Sequence, residues 1–288
     1  MTIAVTAVSG QLGHTIARML LERSDGRQVI GLARAPDKVT LPGMEVRAGE
    51  YTDAAGFEAS LRDVDTLVMV SLNTPPDIRT GQHRTALAAA RRAGVRRVVY
   101  TSVQGAEEGT AFSPVIQSNR QTEDDIRDLG FAWSVGRNGI YIEPDIDYID
   151  TYAAQGEIAN SAGDGVCGYT TRAELAAAYA NVALDDAHNG QTYNLNGQPM
   201  TQADLAAHLN GAFGTQLRYR AMSVEHYRAD RRAALGDMMG TIIAGIYEGI
   251  RSGVFNVPSD FDTAAGRPHQ SWDAYFARLK AASSQDAS

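Results

Sequence analysis

The run Ile3-Ala-Val-Thr-Ala-Val-Ser-Gly-Gln-Leu-Gly13 constrains this chain more than any other stretch. Ile3 to Thr6 are β-branched or small and apolar, as in a strand buried on both faces, and Leu12, Ile16, Met19 and Leu20 then recur at helical spacing. Ala7, Val8, Ser9, Gly10, Gln11, Leu12 and Gly13 therefore have to turn a strand directly into a helix. Such a turn leaves N–H groups unpaired at the helix start, and a glycine there lets a pyrophosphate reach them without meeting a Cβ. Positions 7, 10 and 13 are separated by two residues each, and the first is alanine, so the spacing departs from G-x-G-x-x-G. The strand-turn-helix context favours a dinucleotide site over a tight turn that binds nothing.

Composition narrows the partners. The formal charge of −8 with no basic stripe argues against a nucleic-acid surface, so a phosphate has to be held by local groups. The single cysteine, Cys167, rules out an internal disulfide, fits a reducing cytoplasm and reads as an inert, packed thiol. No basic region followed by a long apolar run opens the chain, and no stretch approaches eighteen uninterrupted apolar residues, so neither a signal peptide nor a membrane partner is expected. Met238 to Tyr247 is too short to span a bilayer and reads as a buried or pocket-facing helix. A cytoplasmic protein is expected, and a homodimer is compatible with the sequence.

Gln28-Val-Ile-Gly-Leu-Ala-Arg34 reads as a second strand ending on an arginine. Enzymes that use NAD usually place Asp or Glu about twenty residues past the glycines for the ribose 2′-hydroxyl, whereas a 2′-phosphate needs a cation. Arg34 offers a planar fork for that phosphate, and Lys38 could add a second positive charge or simply be solvated. The cofactor this predicts is NADPH.

Met44 to Ala48 reads as a third strand, Gly49 to Asp53 as a loop beside the adenine, and Thr66 to Val70 as a fourth, buried strand. Ser71, Leu72 and Asn73 then open a polar loop at a strand's carboxyl end, where ligands of open α/β sheets bind, which makes them cofactor candidates as well as an ordinary loop. A helix from Gln82 to Ala93, a strand from Arg97 to Ser102, a helix from Ser113 to Leu129 and a strand from Ala132 to Asn138 complete a strict alternation. That alternation predicts a parallel, doubly wound sheet. From Gly139 the pattern changes: aromatics mix with acids up to Tyr152, and Gly156 to Gly168 is rich in turn residues. Residues 1–138, with 166–195 packing back on them, are expected to form the nucleotide-binding domain, and 139–165 with 196–288 a smaller substrate-binding lobe. Thr201 to Asp204 resembles a capping box, and the polar residues from Ala281 to Ser288 are expected to be a disordered tail.

Much chemistry is missing. The six histidines show no metal-ligand spacing, so no metal is expected, and no Gly-x-Ser-x-Gly elbow is present. Lys38 and Lys280 are the only lysines. Ordinary short-chain dehydrogenases pair a tyrosine with a lysine four residues on, which lowers the tyrosine pKa so that it can shuttle a proton. The helix from 113 to 129 contains neither residue.

Gln11-Leu-Gly13, Arg34-Ala-Pro36, Gln82-His-Arg84, Tyr100-Thr-Ser102, Thr122-Glu123, Arg137-Asn-Gly139 and Gly163-Asp-Gly165 occur in an order and spacing that resembles the NmrA-like proteins, a family of atypical short-chain dehydrogenases. Within it the chain is most similar to NADPH-dependent quinone reductases, with the triphenylmethane reductases near by. The resemblance implies an α/β Rossmann domain, NADPH in its cleft, and a smaller C-terminal α/β lobe closing over the substrate. It carries cofactor contacts onto Ala7 to Leu12, Arg34 and the loop from Ser71. Two positions depart from the family pattern: Ala7 stands for its first glycine, and Asn119 for a histidine, which puts a proton-donor role there in doubt.

A quinone that accepts hydride becomes a stabilised, phenolate-like anion that needs no tuned acid, so the missing dyad is understandable. The sequence thus predicts an NADPH-dependent reductase of quinones or similar conjugated acceptors, with Asn138 and Tyr141 on the acceptor side and no catalytic residue identified. The rival reading is an NADP(H)-binding sensor that does not turn the cofactor over, and the missing dyad fits that equally.

Overall fold

Short apolar runs pair into one parallel sheet in the computed structural model of the chain, which describes residues 1–286. The first half alternates as β1 (Thr2–Val5), α1 (Gln11–Arg23), β2 (Gln28–Ala33), β3 (Glu45–Ala48), α2 (Ala54–Ser60), β4 (Thr66–Val70), α3 (Pro76–Arg92), β5 (Arg97–Val103), α4 (Ser113–Asp128) and β6 (Ala132–Asn138). Then come β7 (Ile140–Tyr141), α5 (Glu143–Asp147), α6 (Ile149–Gln155), β8 (Glu157–Asn160), β9 (Tyr169–Thr170), α7 (Arg172–Leu184) and β10 (Gln191–Leu195). The chain continues through α8 (Gln202–Phe213), β11 (Arg218–Ala221), α9 (Val224–Leu235), α10 (Asp237–Ser252), α11 (Phe261–Ala265) and α12 (Trp272–Asp286).

Seven strands lie in the order β10-β6-β5-β4-β1-β2-β3, all parallel, which is the doubly wound Rossmann arrangement expected. Strand order reverses between β1 and β4, whose register sets Ile3 opposite Thr66 and Val5 opposite Val68. Ligands of such sheets bind in the crevice beyond the carboxyl ends of the strands at that reversal. Strand alternation sends Ile3 and Val5 to one face, where they join Ile16 and Leu20 of α1 and Tyr179 of α7. It sends Ala4 to the other, with Phe57, Leu87 and Ile126 of α2, α3 and α4. A third core, containing Phe112, Ile142, Tyr169, Leu205, Ile250 and Phe255, lies beneath the later helices, where β7 pairs with β9 and β8 with β11.

Several local expectations are corrected. α3 starts at Pro76 rather than Gln82, because proline at the first helical position has its φ already set and no N–H to leave unpaired. The turn-rich stretch from Gly156 contains β8, and no disordered tail starts at Ala281, since α12 runs on to Asp286; residues 287 and 288 lie outside the described part. Met238 is exposed while Gly240, Ala244 and Gly245 are buried, so α10 has one inward face. Cys167 is buried, and burial pushes its thiol well above the usual range. The capping box at Thr201 forms, with Thr201 Oγ1 accepting from the Asp204 N–H at 3.1 Å. No helix among the described residues is long and apolar enough to cross a membrane.

The β1–α1 turn is tight. A Cβ on Gly13 would come within 2.7 Å of the Thr6 carbonyl oxygen and nearer still to that of Ala7, so only glycine lets α1 start this close to its strand. Ala7 itself has φ +54°, in the left-handed region where a side chain costs about 1–2 kcal/mol. Ala7→Gly should therefore raise stability by about 1 kcal/mol, or roughly 2 °C in Tm. Paired thermal melts measure this; an unchanged or lower midpoint would mean that the packing of the Ala7 methyl group outweighs its backbone strain.

Candidate functional site

Gly10 caps α1 in an extended conformation, φ −94° and ψ 159°, with no side chain to satisfy the helix start. The Val8 N–H donates to the Leu32 carbonyl at 3.2 Å and the Gly10 N–H to that of Ala7 at 2.9 Å. Gln11, Leu12 and Gly13 are left with the unpaired N–H groups of a first turn that holds no acidic residue. Ser9, Gly10 and Gln11 face outward, while Val8 and Leu12 are buried in the core and anchor the turn. An uncapped helix N-terminus with positive dipole potential and no Cβ over its cap fits a pyrophosphate.

Arg34 follows β2 directly, and Lys38 ends a single 3-10 turn over Pro36–Lys38. Both are exposed, and neither side chain makes a hydrogen bond or ion pair among the described residues. A free guanidinium at the carboxyl edge of the sheet, on a chain of net charge −8, fits the 2′-phosphate of NADPH. Tyr51, in the loop expected beside the adenine, turns inward instead. Its hydroxyl donates to Thr6 Oγ1 at 2.6 Å and the Val70 carbonyl at 2.9 Å, and Thr6 Oγ1 accepts the Val70 N–H at 2.8 Å. These bonds lock the ends of β1 and β4 together beneath the crevice.

The loop after β4 is fastened from below. The Ser71 N–H donates to Thr101 Oγ1 at 2.9 Å; the Ser71 hydroxyl donates to Asn119 Oδ1 at 3.1 Å, which also accepts from the Tyr100 hydroxyl at 2.7 Å. The Leu72 N–H donates to His83 Nε2 at 3.2 Å, which leaves the ring proton on Nδ1, donating to Thr122 Oγ1 at 2.9 Å. That neutral tautomer is held by burial first and the nearby Arg79 cation second, which together push the His83 pKa down to about 3. Arg79 is only 5% exposed; it donates to Ser118 Oγ at 3.1 Å and the Thr74 carbonyl at 2.8 Å, and its Nε has no partner. Leu72 is half-buried and Asn73 exposed. Arg79, His83, Tyr100 and Asn119 thus support the loop, a role sequence reasoning missed. The one signal was that Gln82-His-Arg84 and Tyr100-Thr-Ser102 are among the motifs that carry the family resemblance, which says nothing about which loop they hold.

At the end of β6, Asn138 is only 4% exposed. It accepts from the Tyr179 hydroxyl at 2.6 Å and donates to that of Tyr141 at 3.3 Å, so both ends of its amide are engaged within the protein. Tyr141 is half-buried, with the Arg172 guanidinium 5.1 Å above its ring. Nearby, Glu123 of α4 accepts from Ser102 at 2.7 Å, Arg120 at 2.8 Å and Arg137 at 2.7 Å. Burial alone would raise its carboxyl, but Arg137, Arg120 and Ser102 hold it below the usual range, so Glu123 is an ionised tie between α4, β5 and β6. No group of three or more metal-binding side chains is assembled among the described residues. The site can bind a dinucleotide phosphate and present neutral hydrogen-bonding groups.

Residues 8–186 match the NAD(P)H-binding family. Quinone oxidoreductase 2 of Escherichia coli is 30% identical over 92% of this chain and 94% of its own length. Among solved structures, the E. coli NADPH-dependent quinone oxidoreductase complexed with NADPH has a TM-score of 0.84 at 28% identity, covering 96% of this chain and 99% of that one. The Citrobacter sp. triphenylmethane reductase complexed with NADP(H) has a TM-score of 0.88 at 28% identity, with the same coverage.

His83 makes the fold sensitive to acid. Its folded pKa lies below the unfolded value of about 6.5, so the unfolded chain binds the extra proton and stability is lost as the pH falls from about 6.5 towards 3. Its share is up to about 1.4 kcal/mol per pH unit. Urea denaturation between pH 4 and 7 should show a slope shallower by that amount in His83→Gln than in the wild type; equal slopes would mean that His83 is already charged in the folded protein.

Proposed function

The chain belongs to the NAD(P)H-binding family, within the NmrA-like atypical short-chain dehydrogenases, and we propose that it is an NADPH-dependent reductase that delivers hydride to a quinone or similar conjugated acceptor. The observation that carries this reading is the uncapped N-terminus of α1 with the unpaired cation Arg34 at the same edge of the sheet. The nicotinamide, when bound, supplies the hydride. The first-turn N–H groups of α1 hold the pyrophosphate, Arg34 reads the 2′-phosphate with Lys38 adding charge, and the buttressed loop from Ser71 to Asn73 borders the nicotinamide half. Tyr141 faces the acceptor, and Asn138 acts behind it by fixing the hydroxyl.

α4 lacks the tyrosine and lysine that would protonate an alkoxide, which disfavours simple ketones and alcohols as substrates. Conjugated acceptors avoid that requirement, and the similarity to quinone and triphenylmethane reductases supports the same class. Steady-state oxidation of NADPH with a panel of quinones tests the proposal. Turnover is expected; binding of NADPH with no turnover by any quinone would instead favour a cofactor sensor.

Cofactor choice is tested at Arg34. A charge-assisted contact to the 2′-phosphate is worth about 1.5–3 kcal/mol, so Arg34→Ala should weaken NADPH binding by roughly ten- to a hundredfold. NADH lacks that phosphate, and its affinity should change by no more than a few fold. Calorimetric titration of both cofactors decides: an equal loss for the two would mean that Arg34 supports the fold.

A further inference from the structure

The proposed hydride transfer moves charge onto the acceptor, and one cation stands beside the ring that faces it. Arg172 opens α7, which leads into β10, a parallel strand of the main sheet, so the amino end of α7 lies at the carboxyl edge, next to α1 on the same face. β9 delivers it there. Thr170 pairs with Tyr141, the Ile142 N–H donates to the Thr170 carbonyl at 3.0 Å, and Thr171 Oγ1 caps the helix by accepting from the Glu174 N–H at 3.0 Å. The Arg172 guanidinium consequently sits 5.1 Å above the Tyr141 ring.

Contacts tie this cation to the crevice. The Tyr141 ring packs on the core that contains Val8 and Leu12 of the β1–α1 turn, and its hydroxyl accepts from Asn138, at the carboxyl end of β6, at 3.3 Å. Glu143 holds Arg172 by its backbone rather than by its head: Oε1 accepts the Arg172 N–H at 2.7 Å, whereas Oε2, buried and accepting no hydrogen bond, lies 3.5 Å from Nη1. Among the described residues that loose contact is the guanidinium's one ion pair, and the guanidinium donates no hydrogen bond. Its side chain is 20% exposed, so a planar group of five donors is held over the acceptor-facing ring with its bonding capacity unused.

We propose that Arg172 sets the class of acceptor, favouring a neutral quinone over a cationic dye, an inference that rests on the reductase reading above. Hydride transfer breaks a C–H bond of the reduced nicotinamide and places its electron pair in a new bond on the acceptor, whose charge falls by one. A neutral quinone becomes an oxyanion that takes its proton from water, and the fixed cation stabilises this charge as it forms without supplying a proton. A triarylmethane cation becomes neutral, so it meets the repulsion of Arg172 on entering and loses it only on reduction. The same charge thus helps the quinone in the transition state and penalises the cation at binding. Glu143 tempers both effects as the counter-charge.

The test measures kcat and KM for a neutral benzoquinone and a triarylmethane dye cation, the latter also as an inhibitor of quinone reduction. Arg172→Gln should lower the quinone kcat by roughly tenfold or more, and the KM and inhibition constant of the cation should fall several-fold, with NADPH affinity kept. The two kcat/KM values therefore move in opposite directions. Arg172→Lys, which keeps the charge, should retain most of the quinone preference. Glu143→Gln keeps an acceptor for the Arg172 N–H but removes the counter-charge, so it should shift the ratio of the two kcat/KM values towards the quinone. A ratio that stays the same in Arg172→Gln, whether both acceptors are lost together or neither is affected, would overturn the assignment and leave the reductase reading intact, as would a shift towards the cation in Glu143→Gln. Absence of quinone turnover in the wild type would overturn both.

Discussion

The close approach of α1 to β1 sets the position of everything at the carboxyl edge. Gly13 admits the helix against the Thr6 and Ala7 carbonyls, and Ala7 accepts a left-handed backbone to make the turn in so few residues. Beneath it, Thr6 Oγ1 takes the Val70 N–H and the Tyr51 hydroxyl, so the two strands flanking the order reversal cannot move apart. A helix end aimed at a ligand is useful only if it does not drift, and here backbone contact and a buried hydroxyl hold it.

A second theme is the use of arginine for internal ties. Arg97, almost wholly buried, reaches Asp186, Ser134 and the Val182 carbonyl. Arg120 and Arg137 converge on Glu123, and Arg267 grips both oxygens of Glu174. Each tie uses several donors of one planar group, which a lysine ammonium cannot reproduce. Burying such charges is costly, and Glu123 and Glu174 offset it by each accepting several donors. Arg79 is the exception, a buried cation whose partners are a carbonyl and a hydroxyl; burial, helped by its field, keeps His83 neutral, so that Nε2 can accept the Leu72 N–H.

The alternating half of the chain was legible because its signals are local. Apolar runs such as Thr66–Val70 and the Gly10–Gly13 turn carry their own explanation, and the parallel sheet follows from their order. The candidate site was only half legible. Arg34 was singled out by its place at the end of a strand, and Ser71 by the loop it opens. The groups that position them were not, since His83, Asn119 and Tyr100 meet Leu72 and Ser71 only once α3, α4 and β5 have packed. Ala7 was visible as a departure from the family pattern, but its cost follows from its φ of +54°, which only the fold supplies.

The α9–α10 hairpin is attached unevenly. α9 buries a single side chain, Tyr227, and Leu235 and Met238 stand exposed at its turn into α10, whereas β1, β4 and β5 are almost entirely inside. Separating α9 from α10 forfeits one buried aromatic ring and the Arg228–Glu248 ion pair; separating a strand forfeits a core. α9 is therefore more weakly held than the sheet, while α10 stays with the core through Gly240, Ala244, Gly245 and Ile250. Amide protons of α9 will exchange with solvent through local excursions while those of the sheet wait for global unfolding.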